Sequence, residues 1–251
     1  MGLADGMMLV FQKKEEATPV VERPAVAAVV VAAGGSTRMG VPKQLISLRG
    51  IPVIGRSLMA LDAASLIDEI VVVAREEDML HFYDICKSWN LRKVTKIVKG
   101  GSTRQQSVKS GVFAARDTTG FFAIHDGARP LVRPTTVDKV VEAAFGCGAA
   151  AAAVRVKDTI KEADENGFIT ATPDRRFLWN VQTPQVFERC LYLEALRRAE
   201  NCGLDYTDDC QLVEGLGRPV RLVEGEYANI KITTPEDVAC AEGLLRGKEE
   251  F

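Results

Sequence analysis

With 251 residues, the chain is long enough to bury a substantial core in one domain, and its 47% apolar composition is that of a folded globular protein. Its 34 acidic and 32 basic residues leave a formal charge of -2, which argues against nonspecific nucleic-acid binding and leaves room for a local cationic pocket. Six dispersed cysteines without a CxxC pair, and only His81 and His125 as histidines, argue against a disulfide framework or a zinc site and point to a reduced, cytoplasmic protein.

Residues 1–24 read as an extension before the first strand. Lys13, Lys14, Glu15 and Glu16 interrupt any membrane-like run, and the apolar stretch Met7 to Phe11 is an alternative short docking segment. No later run is long enough to suggest a membrane span. From Ala27 to Ala32 the sequence is continuously apolar and rich in valine, as expected of a parallel strand covered on both faces. It empties into Gly34 and Gly35, where the lack of a side chain permits close main-chain approach, and then meets Arg38 and, after Pro42, Lys43. That order suits a phosphate: amides cradle its oxygens, Arg38 adds a planar fork and Lys43 a mobile point charge. A tight turn followed by solvent-facing cations is the plain alternative. Neither the full Walker pattern nor the spaced glycines of the dinucleotide fingerprint is present.

Further along, Val53 to Asp62 predicts a helix, Glu69 to Ala74 a strand, Glu76 to Trp89 a helix, and Lys93 to Val98 a strand. Gln105 to Ala115 then reads as a helix, Phe121 to His125 as a strand, Val137 to Phe145 as a helix and Ala149 to Val154 as a central strand. This alternation predicts an α/β fold: a Rossmann-like, mostly parallel sheet with flanking helices and right-handed crossovers. Between Arg155 and Arg176 the pattern breaks, and KEADENGFIT reads as a projecting hairpin bent near Asn166 and Gly167. Its exposed edges make it a candidate for pairing with a second subunit; an ordinary surface hairpin is the alternative. Val186 to Ala199 predicts a helix, Asp208 to Glu214 an acidic helix, Val220 to Glu224 and Tyr227 to Ile232 strands, and Pro235 to Leu245 a last helix.

Several of these segments carry chemistry. In GGSTRQQSV, Gly101 and Ser107 offer hydrogen bonds suited to a base edge with Arg104 nearby, while Ser102 or Thr103 capping a helix, with Arg104 on a wet face, fits equally. In HDGARP, Asp126 ends an apolar run and can coordinate Mg²⁺ already engaged by phosphates, or simply cap a turn; Arg129 can contact an acidic substrate or organise the loop. His125 reads as a structural hydrogen-bonding group. Arg175 can hold a second phosphate, Asp208 and Asp209 fit a helix N-terminus, and Lys231 is the sole cation of NIKIT.

Taken in order, AAGGSTRMG-PKQ, GGSTRQQSV, HDGARP, DT-I, TPDRR, TPQVF, TDDC-LVE and NIKIT resemble the 2-C-methyl-D-erythritol 4-phosphate cytidylyltransferase family across Val26 to Leu245. The resemblance implies one nucleotidyltransferase domain over residues 25–250, with residues 155–178 as a projecting dimerisation arm and a homodimer as the working unit. It implies CTP as co-substrate, Mg²⁺ as the metal, and a small phosphorylated sugar alcohol as acceptor, with no nucleic-acid or membrane partner. Arg38 and Lys43 would be the catalytic cations. Ala32, Ala33, Gly34, Gly35, Ser36, Gly101, Ser102, Arg104 and Ser107 would bind CTP, and Asp126 the metal. Arg129, Thr159, Arg175 and Lys231 would surround the acceptor phosphate, Thr159 and Arg175 reaching it from the partner's arm. Ser36 stands where the family loop often has a second glycine, and Ala228 where some relatives have an acidic residue. A ribitol 5-phosphate cytidylyltransferase and a noncatalytic CTP-sensing subunit are the competing readings.

Overall fold

The computed structural model describes residues 23–35 and 42–246; the apolar Met7 to Phe11 segment falls outside them. In chain order come β1 (Ala25–Val31), a hairpin of β2 (Ser47–Leu48) and β3 (Ile51–Pro52), α1 (Val53–Ala63), β4 (Glu69–Ala74), α2 (Met79–Ser88), β5 (Val94–Lys99), α3 (Arg104–Ala114), β6 (Thr119–Asp126), α4 (Pro134–Cys147) and β7 (Ala149–Arg155). A separate hairpin, β8 (Glu162–Ala163) with β9 (Ile169–Ala171), precedes β10 (Trp179–Glu188), α5 (Arg189–Asn201), α6 (Asp209–Glu214), β11 (Arg221–Glu224) and α7 (Pro235–Arg246).

Seven strands form one sheet in the order β11-β7-β10-β6-β1-β4-β5, parallel except for β10, which runs against both its neighbours. Because strand side chains alternate, β1 feeds two cores. Val26, Ala28 and Val30 pack with Ile54 and Leu58 of α1, Phe82 of α2 and Val137 of α4, whereas Ala27 and Val29 pack with Val108 of α3 and Tyr192 of α5. Each fully buried valine contributes roughly 1.5–3 kcal/mol of apolar burial, so the uninterrupted runs of β1 and β4 suit central positions and would be wasted at a wet edge. A smaller cluster of Leu48, Val53, Leu131, Ile232 and Ala241 seats α7. Helix α4 starts with Pro134 and stops at Gly148, whose φ of 82° is the left-handed cap that glycine adopts without strain.

The chain leaves β1 for β4 and β5 on one side, then returns to β6 on the other. Val31 and Asp126, the last residues of β1 and β6, are register partners, so the strand order reverses where their carboxyl ends meet. Open α/β sheets bind ligands at such a point.

Three local expectations change. Val186 to Glu188 is strand and the helix begins only at Arg189, because Val186 and Phe187 are taken into the ladder opposite Ala123 and Phe122. Tyr227 to Ile232 is no strand: Asn229 N–H bonds to Glu226 O and Ile230 N–H to Ala228 O, turning the chain before Ile232 N–H reaches Ala128 O. The stretch from Glu76 opens as a 3-10 turn, Glu76–Asp78, before α2 starts at Met79.

Beyond β7 every residue from Asp158 to Thr172 is exposed. Asp164 accepts from the Asn166 and Phe168 amides, and Gly167 turns the tip at φ 85°. At the root, the Arg155 guanidinium lies 4.0 Å from the centre of the Trp179 ring and Lys157 Nζ 3.6 Å from that of Tyr227, whose hydroxyl donates to Arg155 O.

Candidate active site

A cavity of about 220 Å³ opens where β1 and β6 end. Ala33, Gly34 and Gly35 line one side of it, and among the described residues a Cβ added at either glycine would meet nothing within 4 Å. Beneath, Ala32 is buried; its carbonyl accepts from Gln44 Nε2 at 3.0 Å, and Gly34 O lies 3.4 Å from the same nitrogen. Gln44 thus ties the returning turn, which carries Lys43 into the cavity wall, to the loop that left β1. No site role was expected of Gln44; the signal available was a polar side chain that ends 2% exposed beside the conspicuous Pro42-Lys43 pair.

Gly101, Ser102, Arg104 and Ser107 form the opposite wall. Gly100 lets the two loops touch, since a Cβ there would lie 2.5 Å from Ala33 Cβ and 2.9 Å from Ser107 Oγ. Thr103 caps α3 by accepting from Gln106 N–H, while Gln106 Oε1 accepts from the Ser102 amide and hydroxyl, a close variant of the capping box. The Ser107 hydroxyl donates to Thr103 O and accepts from Gly101 N–H, holding the loop on its own helix.

Asp126 and Lys231 close the end of the cavity. Lys231 Nζ lies 3.0 Å from Asp126 Oδ2, Arg129 Nε 3.5 Å from the same oxygen, and Arg104 Nη2 3.8 Å from Oδ1. Burial opposes charge on Asp126, yet Lys231 first, then Arg104 and Arg129, hold its carboxyl well below the usual carboxylate range. Burial likewise works against charge on Arg104, but Asp209, 2.6 Å away, and then Asp126 push its pKa above the ordinary arginine value. For Arg129 burial wins, and its pKa lies below the usual value. Arg104 is therefore no wet-face residue, and Asp209 does more than sit at a helix start. Asp208 is the cap, accepting from the Cys210 and Gln211 amides.

A second cavity of about 130 Å³ shares Arg104, Asp126 and Lys231 and adds Arg129, Gln182, Thr183, Gln185 and Thr207. Its wall is a bonded set of side chains. Thr183 Oγ1 accepts from Asp126 N–H at 3.0 Å and lies 3.0 Å from His125 Nδ1; Asn229 Nδ2 donates to Thr183 O and Gln185 Nε2 to Asp208 Oδ2. Arg129 Nη1 donates to Asn229 O. Burial pulls the pKa of the fully enclosed His125 from 6.5 down to about 4, so it is a neutral structural group near neutral pH. Ser36 and Arg38 lie outside the described residues. Thr159 and Arg175 line neither cavity; Arg175 Nη1 donates to Lys157 O within the arm.

A family model described as IspD, 2-C-methyl-D-erythritol 4-phosphate cytidylyltransferase, matches residues 26–247. The chain belongs to this family. It is 47% identical over 227 residues to the enzyme of that name from Pelotomaculum thermopropionicum, covering 89% of this chain and 95% of the relative. Over 224 residues it is 49% identical to that of Caldanaerobacter subterraneus, covering 88% and 99%. Among solved structures, the 4-diphosphocytidyl-2C-methyl-D-erythritol synthase of Anaerococcus prevotii superposes with a TM-score of 0.81 at 31% identity, covering 89% of this chain and 96% of that one. The cytidylyltransferase of Thermus thermophilus gives 0.72 at 33% identity, covering 88% and 99%. Membership of the cytidylyltransferase family fits a cleft built from main-chain amides and cations. Among the described residues no helix is long and apolar enough to cross a membrane.

Proposed function

We propose that this protein transfers a cytidylyl group from CTP to 2-C-methyl-D-erythritol 4-phosphate, giving 4-diphosphocytidyl-2-C-methyl-D-erythritol and pyrophosphate. The observation that carries this reading is the pair of adjoining cavities sharing Arg104, Asp126 and Lys231, one walled by loop main chain and one by fixed polar side chains. Ala33 to Gly35, Ser36 and the Gly101–Ser107 loop take the nucleotide, Gly101 and Ser102 at the base and Arg104 on the nucleotide side of the shared wall. Arg129 and Lys231 take the acceptor phosphate.

A phosphate monoester has its second pKa near ~6 and arrives as an anion, so its oxygen attacks the α-phosphorus of CTP without a strong base. The P–O bond to the β-phosphate breaks and pyrophosphate leaves with the electron pair. Arg38 and Lys43 stabilise the charge that grows on the transferring and departing groups. Asp126 suits a divalent cation: it is a carboxylate held in its charged form that lines the cavity, with Lys231 and Arg129 on its Oδ2 and Arg104 3.8 Å from its Oδ1. Among the described residues no group of three His, Cys, Asp or Glu side chains is placed to hold a metal alone, which suits Mg²⁺ held largely by triphosphate oxygens. Bound there, Mg²⁺ would supply charge neutralisation at those phosphates.

The arm supports a homodimer. Phe168 and Ile169 are 72% and 64% exposed, an apolar surface that a second subunit would cover. In that assembly Thr159 and Arg175 reach the partner's acceptor site. Mixed dimers of Lys43→Ala and Arg175→Ala subunits should then regain about one working site, and failure to regain activity would exclude sharing across subunits. For the reaction itself, pyrophosphate release is measured from CTP and Mg²⁺ with methylerythritol phosphate and ribitol 5-phosphate side by side. Release with the first is expected; release with ribitol 5-phosphate alone, or CTP binding without any product, would overturn the proposal.

A further inference from the structure

Arg104 is the only arginine lining both cavities among the described residues, yet its nearest partner lies outside each of them. Its Nη2 sits 2.6 Å from Asp209 Oδ2, against 3.8 Å from Asp126 Oδ1. Asp209 is 1% exposed, and its other oxygen accepts a 2.6 Å hydrogen bond from the Tyr192 hydroxyl. Tyr192 is itself enclosed, stacked on Phe187 of β10 at 5.1 Å between ring centres and set edge-on to Phe122 of β6. Both Asp209 oxygens are thus committed, one to a side chain that the sheet fixes and one to Arg104.

We infer that Asp209, backed by Tyr192, is a positioning residue that holds the Arg104 guanidinium in the wall between the cavities and keeps it off Asp126. Asp126 is the other carboxylate paired with Arg104, and it lies beside the end of β1. Without the charge of Asp209, Arg104 is drawn to Asp126 by the same attraction that now acts at 3.8 Å. Two groups would be affected at once, since Arg104 would leave the nucleotide wall and Asp126 would carry a closer cation on its Oδ1 than the present 3.8 Å contact. A neutral asparagine can offer its carbonyl oxygen to the guanidinium only by turning its NH2 to the Tyr192 hydroxyl, and in either orientation it lacks the charge that opposes the pull of Asp126.

The inference rests on the cytidylyl-transfer reading, in which Arg104 faces the nucleotide. Its test is a double-mutant cycle on CTP binding in the presence of Mg²⁺, by calorimetry on the full chain, with Asp209→Asn, Arg104→Met and both together. Each single change should raise the Kd by ~10-fold, and the double should stay within ~2-fold of the weaker single, as residues acting through one another do. Tyr192→Phe, which keeps the ring and removes the hydroxyl, should raise it by a smaller ~2–5-fold; should Asp209→Asn fail to fold, the same cycle is run with Tyr192→Phe. A purely structural role would reduce the competent fraction, read as stoichiometry, and leave the Kd of the remaining sites unchanged. A wild-type Kd in the Asp209 variant, or additive losses in the double, would overturn the inference. No CTP binding by the wild type would defeat the cytidylyl-transfer reading and this inference with it.

Discussion

Around Gly34 the wall of the larger cavity is loop main chain over which, among the described residues, an added Cβ would meet nothing within 4 Å, whereas around Thr183 and Gln185 the smaller cavity is lined by side chains already held by hydrogen bonds. The first kind of wall adapts, because amide N–H groups donate to any phosphate oxygen that comes near and no side chain must move. The second is fixed in advance. Among its described residues the buried Gln185 Oε1 has no hydrogen-bond partner, and a ligand lacking a donor for it leaves it unpaired, at about 1–3 kcal/mol. On the proposed assignment of the two cavities, tolerance is concentrated on the nucleotide side and discrimination on the acceptor side.

The contrast breaks first at Lys43, which lines the permissive cavity. Lys43→Ala should lower kcat by ~10²–10³-fold, the range for loss of a transition-state stabiliser, with a much smaller change in CTP Kd; equal turnover in steady-state assays would remove Lys43 from the chemistry. Next comes acid. The folded-state pKa of His125 is lowered from 6.5 to about 4, so the unfolded chain takes up a proton first as the pH falls. Its stabilisation is complete above pH 6.5 and is lost on the way down to about 4, amounting to about 3 kcal/mol at 1.36 kcal/mol per unit. Urea unfolding between pH 7 and 4 should show this loss, and a flat profile would mean that His125 is not enclosed as a neutral ring. Asp126, whose pKa is also lowered, adds a loss only below its ordinary value of 3.8.

Smaller effects sharpen the same contrast. Thr183→Val keeps the shape but leaves the Asp126 amide without its acceptor, so a stability loss of about 1–3 kcal/mol is expected in denaturant titration. Gly34→Ala should change stability by less than about 0.5 kcal/mol, since no atom of the described residues lies within 4 Å of its Cβ, yet weaken CTP binding by placing that Cβ in the cavity. A drop in Tm for Gly34→Ala with unchanged CTP affinity would reverse the assignment of the two walls.

The sheet was legible wherever burial on both faces demanded continuous apolar residues, as in Val26 to Val30, Ile70 to Ala74 and the alanines of β7. Strand β10 was not, because Gln182, Thr183 and Gln185 are polar and buried: they serve the cavity network, and no alternation marks them as strand. Tyr227 to Ile232 misled in the opposite sense, its apolar alternation belonging to a turn that presents Lys231 to Asp126. Of the site, Gly34, Gly101, Asp126 and Lys231 could be read from local chemistry, and the structure brings them around one cavity. Asp209 could not be told from an ordinary helix start, since its partners Arg104 and Tyr192 are remote in sequence. Gln44 is silent for the same reason: only folding places it under Ala32 and Gly34.

β10 begins at Trp179, where the arm returns, and runs ten residues to Glu188 opposite Phe121, passing Thr183 and Gln185 on the way. It is clamped at the outset by Arg155 stacking on Trp179, pairs with β7 from Trp179 to Val181, and is paired again from Gln185 onward with both β7 and β6. One strand thus runs from the arm's root through the break in pairing that holds Thr183, so a displacement at the root has a short covalent route to the hydroxyl that bonds the Asp126 amide.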